Sequence, residues 1–219
     1  MSTQLIILGA GGFAKEAFSW ATSVGYNVAA FYEEATPGAE PRAIFQTPVV
    51  NSLKAFYGMT FVAAVGNSKL RERLTGQAMG MGLVQCSPIT HRSVISGVNV
   101  TADPGTIICP NVVLTADIHI GMGCIINIGA TIGHDCQIGD FVTIAPGANI
   151  SGGVIIQNHA YIGTNACIRE GKLISESGTI GMGSVVVKDT EPYCTVMGNP
   201  AKIPVLAPRV INFNKESLE

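Results

Sequence analysis

Residues 120–150 read IGMGCIINIGATIGHDCQIGDFVTIAPGANI, and an aliphatic side chain occupies every sixth position of this stretch. The period continues in both directions and is unbroken over fourteen positions, from Ile108 to Val186. An α-helix repeats about every 3.6 residues and a strand about every two, so neither generates a strict period of six. The stretch therefore predicts a solenoid built of short strands and corners.

A second stripe of small or slender side chains lies two positions before the first, and it includes Cys124, Ala130 and Cys136. Residues two apart on a strand face the same way, so both stripes are predicted to point inward. Gly, Asp and Asn crowd the positions after each aliphatic residue, where they supply tight turns. We therefore predict an all-β parallel β-helix in which Cys124 and Cys136 are core residues rather than catalytic thiols.

The first 85 residues follow a different pattern, in which strands alternate with helices. The predicted strands are 4–8, 27–32 and 61–65, and the predicted helices are 13–24 and 68–79. Such alternation predicts a small parallel sheet of three or four strands, an α/β Rossmann-like half-domain. The predicted organisation is thus a nucleotide-binding domain at 1–85, a β-helix at 86–204 and a C-terminal tail at 205–219.

The first predicted helix is preceded by glycines in the order Gly9-Ala10-Gly11-Gly12-Phe13-Ala14, close to the G-x-G-x-x-A dinucleotide fingerprint. Such glycines let the backbone approach a phosphate at a helix N-terminus. Glu33 and Glu34 follow about twenty residues later at a strand end, where carboxylates can bind ribose hydroxyls. Three interpretations stay open: a nucleotide-sugar site, which so small a sheet favours, an NAD-dependent oxidoreductase, and a purely structural glycine turn.

Composition and charge argue against several classes of function. The formal net charge of −2 supplies no cationic surface for nucleic acid. Residues 141–168 contain no Asp, Glu, Lys or Arg, but Pro146 and the Asn, Ser, Gln and His residues among them argue against a membrane span. The six cysteines include no Cys-x-x-Cys pair and no secretion signal is visible, so we expect a cytoplasmic protein without a zinc ribbon.

Six stretches resemble corresponding parts of the bacterial hexapeptide-repeat sugar acetyltransferases that carry an N-terminal Rossmann-like domain. This family comprises N-acetyltransferases of nucleotide-linked 4-amino sugars and sialic acid O-acetyltransferase-like proteins. The resemblance implies a left-handed parallel β-helix with three hexapeptides per coil, a homotrimer, and acetyl-CoA as co-substrate between neighbouring prisms, with no metal. The stretches are 9–13, 33–34, 64–67, 132–141, 146–148 and 198–202.

With three hexapeptides per coil, Gly152 stands one coil beyond His134, so a basic nitrogen is predicted beside a backbone without a side chain. That pairing suits acyl transfer, since a base removes a proton from the acceptor and a backbone N–H meets the developing oxyanion. The resemblance implies that His134 is the base and that Asp135 raises its basicity. The other histidines are expected in surface or corner roles that do not converge on a zinc ion: His91, His119 and His159.

The resemblance also implies two sets of binding residues. The acetyl and pantetheine path and the nucleotide end of coenzyme A would be contacted by Asn127, Thr143, Gly152, Thr164 and Lys202. The sugar nucleotide would be contacted by Gly11, Gly12, Phe13, Glu33, Glu34 and Gly66. Some relatives carry histidine at the positions of Phe13 and Thr143. With Phe13, one polar contact to the sugar nucleotide is lost. With Thr143, a hydroxyl that cannot act as a base replaces an imidazole.

These expectations combine into one favoured function and two rivals. We favour an acetyl-CoA-dependent N-acetyltransferase that acetylates the amino group of a nucleotide-linked 4-amino-dideoxy sugar for surface polysaccharide synthesis. Direct attack is expected, because no Cys or Ser is predicted beside the base. The first rival is O-acetylation of a sialic-acid-like hydroxyl in the same architecture, and the second is a non-catalytic β-helix scaffold.

Overall fold

The computed structural model describes residues 3–34, 40 and 42–204. In chain order, the N-terminal elements are β1 Gln4–Leu8, α1 Gly12–Ser23, β2 Asn27–Tyr32, β3 Ala43–Ile44, β4 Thr47–Val50, a 3-10 helix Lys54–Phe56, β5 Thr60–Ala63, α2 Ser68–Gly80 and β6 Val84–Gln85. The strands form one sheet of order β3-β4-β2-β1-β5-β6, in which only the β3–β4 pair is antiparallel. The predicted parallel α/β sheet is therefore confirmed.

The two faces of β1 are covered by different helices. Leu5 and Ile7 belong to the same buried cluster as residues of α1, whereas Ile6 and Leu8 belong to the cluster that contains residues of α2. Successive side chains on a strand point to opposite faces, so a strand buried on both sides needs a continuous apolar run. The sequence of β1 meets that requirement.

The N-terminal sheet has six strands, more than the three or four predicted. The hairpin of β3 and β4 escapes prediction because its turn residues, Phe45 and Gln46, adopt positive φ angles of 50° and 65° without the Asn or Gly that usually marks such a turn. The strand β6 has only two residues, too few to show an alternation pattern. The half-domain is thus extended by a hairpin at one edge and a short strand at the other.

Eighteen short strands follow and wind into a parallel β-helix with three faces. Their bounds are β7 Ile89–Thr90, β8 Ile95–Ser96, β9 Val100–Ala102, β10 Ile107–Ile108, β11 Val113–Leu114, β12 Ile118–Ile120, β13 Ile125–Ile126, β14 Thr131–Ile132, β15 Gln137–Ile138, β16 Thr143–Ile144, β17 Asn149–Ile150, β18 Ile155–Ile156, β19 Tyr161–Ile162, β20 Cys167–Ile168, β21 Leu173–Ile174, β22 Thr179–Ile180, β23 Val185–Val186 and β24 Thr195–Val196.

Each face of the prism collects every third strand. The seven-stranded face has the order β24-β22-β19-β16-β13-β10-β7, the six-stranded face β23-β20-β17-β14-β11-β8, and the five-stranded face β21-β18-β15-β12-β9. Partners such as Ile107 and Ile125 are 18 residues apart, so one coil takes three hexapeptides.

The two stripes predicted from the sequence form the core of the prism. Every aliphatic residue of the six-residue period, from Ile108 to Val186, is at most 3% exposed, and the small residues of the second stripe are at most 1% exposed. All of them belong to one buried cluster. The predicted inward orientation is confirmed, including that of Cys124 and Cys136.

The N-terminal sheet sits against the first coils of the β-helix. Ile89, Ile107 and Cys109 lie in the same buried cluster as Ala14 and Ala17 of α1. The sheet ends at Gln85, the β-helix begins at Ile89, and the predicted tail at 205–219 lies outside the described residues. Among residues 3–34, 40 and 42–204, no helix has the length and apolarity that crossing a membrane requires.

Candidate active site

His134 occupies the corner of the prism between the six-stranded and the five-stranded faces. It follows β14 and precedes β15, and its side chain is 69% exposed. Its Nδ1 lies 2.7 Å from Oδ2 of Asp135, a residue with a left-handed φ of 59°. An ionised carboxylate only accepts hydrogen bonds, so Nδ1 donates and the lone pair of the neutral ring lies on Nε2.

The other edge of this imidazole lies against Gly152 of the next coil. A Cβ atom at position 152 would lie 2.6 Å from both Nε2 and Cε1 of His134. The N–H of Gly153 donates to the carbonyl oxygen of His134 at 2.7 Å, whereas the N–H of Gly152 donates to none of the residues that the structure describes. The corner thus brings together a basic nitrogen and an unused backbone donor.

A second site is a cavity of about 230 Å³ at the carboxyl ends of β1 and β2. In an open parallel sheet, ligands bind at the carboxyl ends of the strands, at the point where the strand order reverses. That point is β1 here, because β2 lies on one side of it and β5 on the other. Three of the predicted nucleotide contacts, Gly11, Glu33 and Glu34, meet here. The complete lining is Gly9, Ala10, Gly11, Tyr32, Glu33, Glu34, Val65, Leu70 and Leu74.

Both glutamates of this cavity are paired with arginines that the sequence analysis did not identify. Arg73 of α2 binds Glu34 through two hydrogen bonds of 2.6 and 2.7 Å, and Arg42 binds Glu33. The hydrogen bonds from Arg73 hold the pKa of the Glu34 carboxyl below its usual range. Both ion pairs are half exposed, so each carboxylate keeps lone pairs available to a ligand hydroxyl.

The other predicted nucleotide contacts lie outside this cavity. Gly12 begins α1 and is exposed. Phe13 packs edge-on against Trp20, with 5.8 Å between the ring centroids, and contributes to the buried cluster under α1. Gly66 lines a different cavity, described next. The glycine turn therefore divides its residues between the ligand cavity and the core.

A second cavity, of about 270 Å³, lies between the start of α2 and the seven-stranded face of the β-helix, and we call it the junction cavity. Thr143, one of the predicted acetyl-CoA contacts, lines it from the β-helix, and Lys69 brings a cation from α2. Its lining consists of Gly66, Asn67, Ser68, Lys69, Thr143, His159, Ala160, Tyr161, Ser177 and Thr179. The lining includes several hydroxyl groups and the N-terminus of α2.

His159 was expected in a surface or corner role, and the structure places it at a corner but buries it beside a glutamate. It does occupy a corner, with a φ of 63°, but its side chain is only 7% exposed and its Nε2 lies 3.5 Å from Oε2 of Glu72. The imidazole stacks on Phe141 with 5.7 Å between ring centroids. Burial, reinforced by Lys69, lowers its pKa. The acidic neighbour comes from α2, far away in sequence, so spacing along the β-helix does not reveal it.

Two of the predicted coenzyme contacts, Asn127 and Thr164, occupy a different corner of the prism from His134. Asn127 and Thr164 both follow strands of the seven-stranded face, and Oδ1 of Asn127 accepts a hydrogen bond from the N–H of Ile128 at 2.8 Å. Lys202 is exposed, and its backbone pairs with that of Met197. Within one chain, the structure therefore brings Gly152 to His134 but does not bring Asn127 or Thr164 there.

Four of the six cysteines are buried, and none of the four is a free nucleophile. Burial raises the pKa of Cys86 and Cys124 to about 12 and also raises the pKa of Cys109 and Cys136. The thiol of Cys136, two residues beyond His134, donates to the carbonyl oxygen of Ser151 at 3.2 Å. In the part of the chain that the structure describes, no cluster of His, Cys, Asp or Glu could hold a metal ion.

We expect a maleimide at about pH 8 to modify the native protein at Cys167 and Cys194 only, because thiolate and access are both needed. The measurement is the number of adducts in the intact mass, followed by peptide mapping. Unfolding in guanidinium should raise the number to all six cysteines. Rapid modification of Cys124 or Cys136 in the folded protein would contradict the inward stripe.

Together, the β-helix of hexapeptide coils, the His134–Asp135 pair on its corner and the α/β sheet with its cavity define a hexapeptide-repeat transferase with a Rossmann-like N-terminal domain. Comparisons with known proteins agree. Residues 4–78 match the PglD N-terminal domain family, and residues 117–152 match the bacterial transferase hexapeptide repeats. A GDP-perosamine N-acetyltransferase of Escherichia coli O157:H7 is 39% identical over 147 residues, which is 65% of this chain and 66% of the relative.

Two solved structures match over nearly the whole length. WeeI from Acinetobacter baumannii AYE is 30% identical with a TM-score of 0.83, over 92% of this chain and 100% of that chain. A variant of perosamine N-acetyltransferase from Caulobacter crescentus, in complex with CoA and GDP-perosamine, is 30% identical with a TM-score of 0.84, over 92% and 96%. This chain belongs to the family of hexapeptide-repeat acetyltransferases with a PglD-type N-terminal domain.

Proposed function

We propose that this protein transfers the acetyl group of acetyl-CoA to the amino group of a nucleotide-linked 4-amino-dideoxy sugar. The observation that carries the proposal is the placement of the His134 imidazole, held by Asp135, against Gly152, whose N–H donates to none of the described residues. The similarity to the perosamine N-acetyltransferases supports the same reaction class. The reaction would take place in the cytoplasm and supply an acetylated sugar for surface polysaccharide synthesis.

The proposed step uses both groups at this corner. The sugar amine attacks the thioester carbonyl carbon while Nε2 of His134 takes a proton from the nitrogen, and Asp135 stabilises the resulting imidazolium. The carbonyl oxygen becomes an oxyanion and accepts a hydrogen bond from the N–H of Gly152. The tetrahedral intermediate then breaks its C–S bond, and coenzyme A leaves with the proton from the imidazolium. The products are the amide and free coenzyme A.

We infer a direct transfer without an acyl-enzyme, because the cysteine at this corner is not available as a nucleophile. Cys136 is the nearest cysteine in sequence to His134, but its side chain points into the core and its pKa is raised by burial. A neutral, buried thiol can neither reach the thioester nor ionise readily.

Two cavities outline a course for the sugar nucleotide. The nucleoside would lie in the cavity of Glu33 and Glu34, which Val65 helps to line, and the next residue, Gly66, lines the junction cavity. The diphosphate would then pass the N-terminus of α2, where backbone N–H groups and Lys69 favour an anion. The sugar would reach the hydroxyl-lined junction cavity beside Thr143.

The positions of these groups in one coil support an assembly of several copies, which we propose is a homotrimer. Thr143 lies on the seven-stranded face, and His134 lies at the corner of the other two faces, on the opposite side of the prism. One chain therefore cannot bring its own His134 to its own junction cavity. A neighbouring copy would supply the imidazole, and a homotrimer closes such head-to-tail contacts into a ring.

An acetyl-transfer assay tests the proposal. The trimer would be supplied with acetyl-CoA and separately with 4-amino sugars linked to GDP, UDP or dTDP, with GDP-perosamine tried first, and the N-acetyl product would be measured by mass spectrometry. We expect turnover with at least one of them. Acetylation of CMP-sialic acid alone would replace the proposal with the O-acetylation rival.

A thermal-shift measurement separates the enzyme from the scaffold rival. Coenzyme A at about 100 times its Kd should stabilise a binding-competent protein by about 2.7 kcal/mol. No shift with coenzyme A, together with no turnover on any acceptor, would leave the scaffold as the better account.

A further inference from the structure

Arg71 of α2 is a fully buried cation that joins the two parts of the chain. Its Nη1 donates to the carbonyl oxygens of Val65 at 2.8 Å and Gly66 at 3.1 Å, in the loop before α2. Its Nε donates to the carbonyl oxygen of Gly123 in the β-helix at 2.7 Å. Burial lowers the pKa of Arg71 to about 10, so the guanidinium stays protonated at neutral pH.

The third nitrogen of this guanidinium reaches one coil further. Nη2 donates to the carbonyl oxygen of Phe141 at 2.7 Å and to Oγ1 of Thr143 at 3.0 Å. Every acceptor of Arg71 is thus a backbone carbonyl except one, the hydroxyl of Thr143. A buried charge without a counter-ion is costly to maintain, so a role beyond packing is a reasonable expectation for it.

The hydrogen bond from Arg71 constrains the direction of the Thr143 hydroxyl. A hydroxyl has one hydrogen and two lone pairs, and Nη2 occupies one of the lone pairs. The hydrogen is left to donate, and it finds no acceptor among the residues that the structure describes. Thr143 is 7% exposed and lines the junction cavity, so an acceptor would come from a ligand.

We propose that Arg71 is a positioning residue that fixes Thr143 as a hydrogen-bond donor to the carbonyl oxygen of the acetyl thioester. This inference rests on the proposed function, in which the thioester meets the sugar at the junction cavity. The same guanidinium holds the Val65–Gly66 loop, which separates the two cavities of the sugar nucleotide. The Arg71 side chain therefore sets the distance between the loop that would guide the sugar nucleotide and the hydroxyl that would hold acetyl-CoA.

The fork of arginine is required for this role. Nε, Nη1 and Nη2 point in fixed, diverging directions in one plane, which match three separate parts of the chain. A lysine ammonium would keep the charge but could not hold the loop, Gly123 and Thr143 together. Arg71→Lys is therefore a variant that removes the geometry while it preserves the cation.

The experiment compares the binding of acetyl-CoA and of coenzyme A by calorimetry, since only acetyl-CoA carries the thioester carbonyl. One hydrogen bond corresponds to about a tenfold preference for acetyl-CoA in the wild-type protein. Thr143→Val and Arg71→Lys should each bring the preference close to one, with the affinity for coenzyme A changed less than about threefold. Thr143→Ser should retain the preference, because it retains the hydroxyl.

The matched control is Thr131→Val, which removes a hydroxyl from the equivalent hexapeptide position on another face, where it donates to Asn149. It should leave the preference unchanged. Equal weakening of acetyl-CoA and coenzyme A by Arg71→Lys would reduce Arg71 to a structural role and overturn the inference, as would a wild-type preference of one. If Arg71→Lys does not fold, Thr143→Val and Arg71→Gln answer the same question.

This test is independent of the acceptor. Failure to find an acetylated sugar would count against the proposed function, whereas it would leave the measured preference for acetyl-CoA intact. Loss of the preference only in the double variant of Arg71→Lys and Thr143→Val, with each single variant unaffected, would show that the two residues do not act through each other and would also overturn the inference.

Discussion

Replacing His134 with asparagine should lower kcat by about 10²–10⁴, the usual contribution of a general base. Asparagine keeps a hydrogen-bonding side chain on this exposed corner but cannot take a proton from an amine. The fold should be unaffected, because the imidazole is 69% exposed and its bond to Asp135 is a surface contact. The measurements are kcat and KM with saturating acetyl-CoA, together with the melting temperature and the oligomeric state.

The chain contains a matched control for this variant. His119 also lies near an aspartate, with its Nε2 3.7 Å from Oδ2 of Asp103, and its side chain is 46% exposed. Its partner one coil on is Gln137, so no bare glycine N–H stands beside it. His119→Asn should therefore keep kcat within about twofold of the wild type. Equal kcat for the wild type and His134→Asn would remove His134 from the mechanism.

Gly152→Ala should lower kcat by about 10²–10⁴, the contribution of a general base, because alanine keeps the N–H at position 152 but displaces the imidazole of His134. A new Cβ would lie 2.6 Å from Nε2 and Cε1 of His134, so the imidazole must move away from Gly152. The obstructing atoms belong to an exposed side chain that can rotate into solvent, so stability should change little. A large loss of kcat with a nearly unchanged melting temperature is the expected signature.

Gly76→Ala controls for the general effect of the substitution. Gly76 lies in α2 with nothing within 4 Å of an added Cβ, and alanine should stabilise the helix by up to about 1 kcal/mol. Its kcat should match that of the wild type. A Gly152→Ala enzyme with normal kcat would show that His134 does not work from its position over Gly152, and the proposed step would have to be abandoned.

Periodic features of the sequence predicted the fold well. The six-residue stripe from Ile108 to Val186 needs no tertiary information, because every coil repeats the same inward positions. Residues 18 apart lie above one another in successive coils, so the repeat also places Gly152 beside His134 once the coil is known to contain three hexapeptides. The residues 4–8 and 27–32 were equally visible as strands, since both are continuous apolar runs in a sheet covered on its two sides.

Contacts between the two parts of the chain could not be predicted. Arg71 appeared as one charged residue in a helix, and only the fold brings it to Gly123 and Thr143. The pairing of His159 with Glu72 has the same origin, because the two lie on separate domains. A repeat pattern predicts which positions of a solenoid point inward. The contacts between the N-terminal domain and the β-helix depend instead on single side chains that belong to no repeat.

The coverage of the first coil by α1 has a consequence for solubility. A stack of parallel strands ends in a row of unsatisfied backbone groups, and an uncovered row can recruit another molecule and grow into a fibre. Here β7 is the first rung and α1 packs across it, while at the far end the chain folds back so that Met197 pairs with Lys202. We therefore expect the N-terminal domain, through α1, to protect the first coil from end-to-end association with another prism.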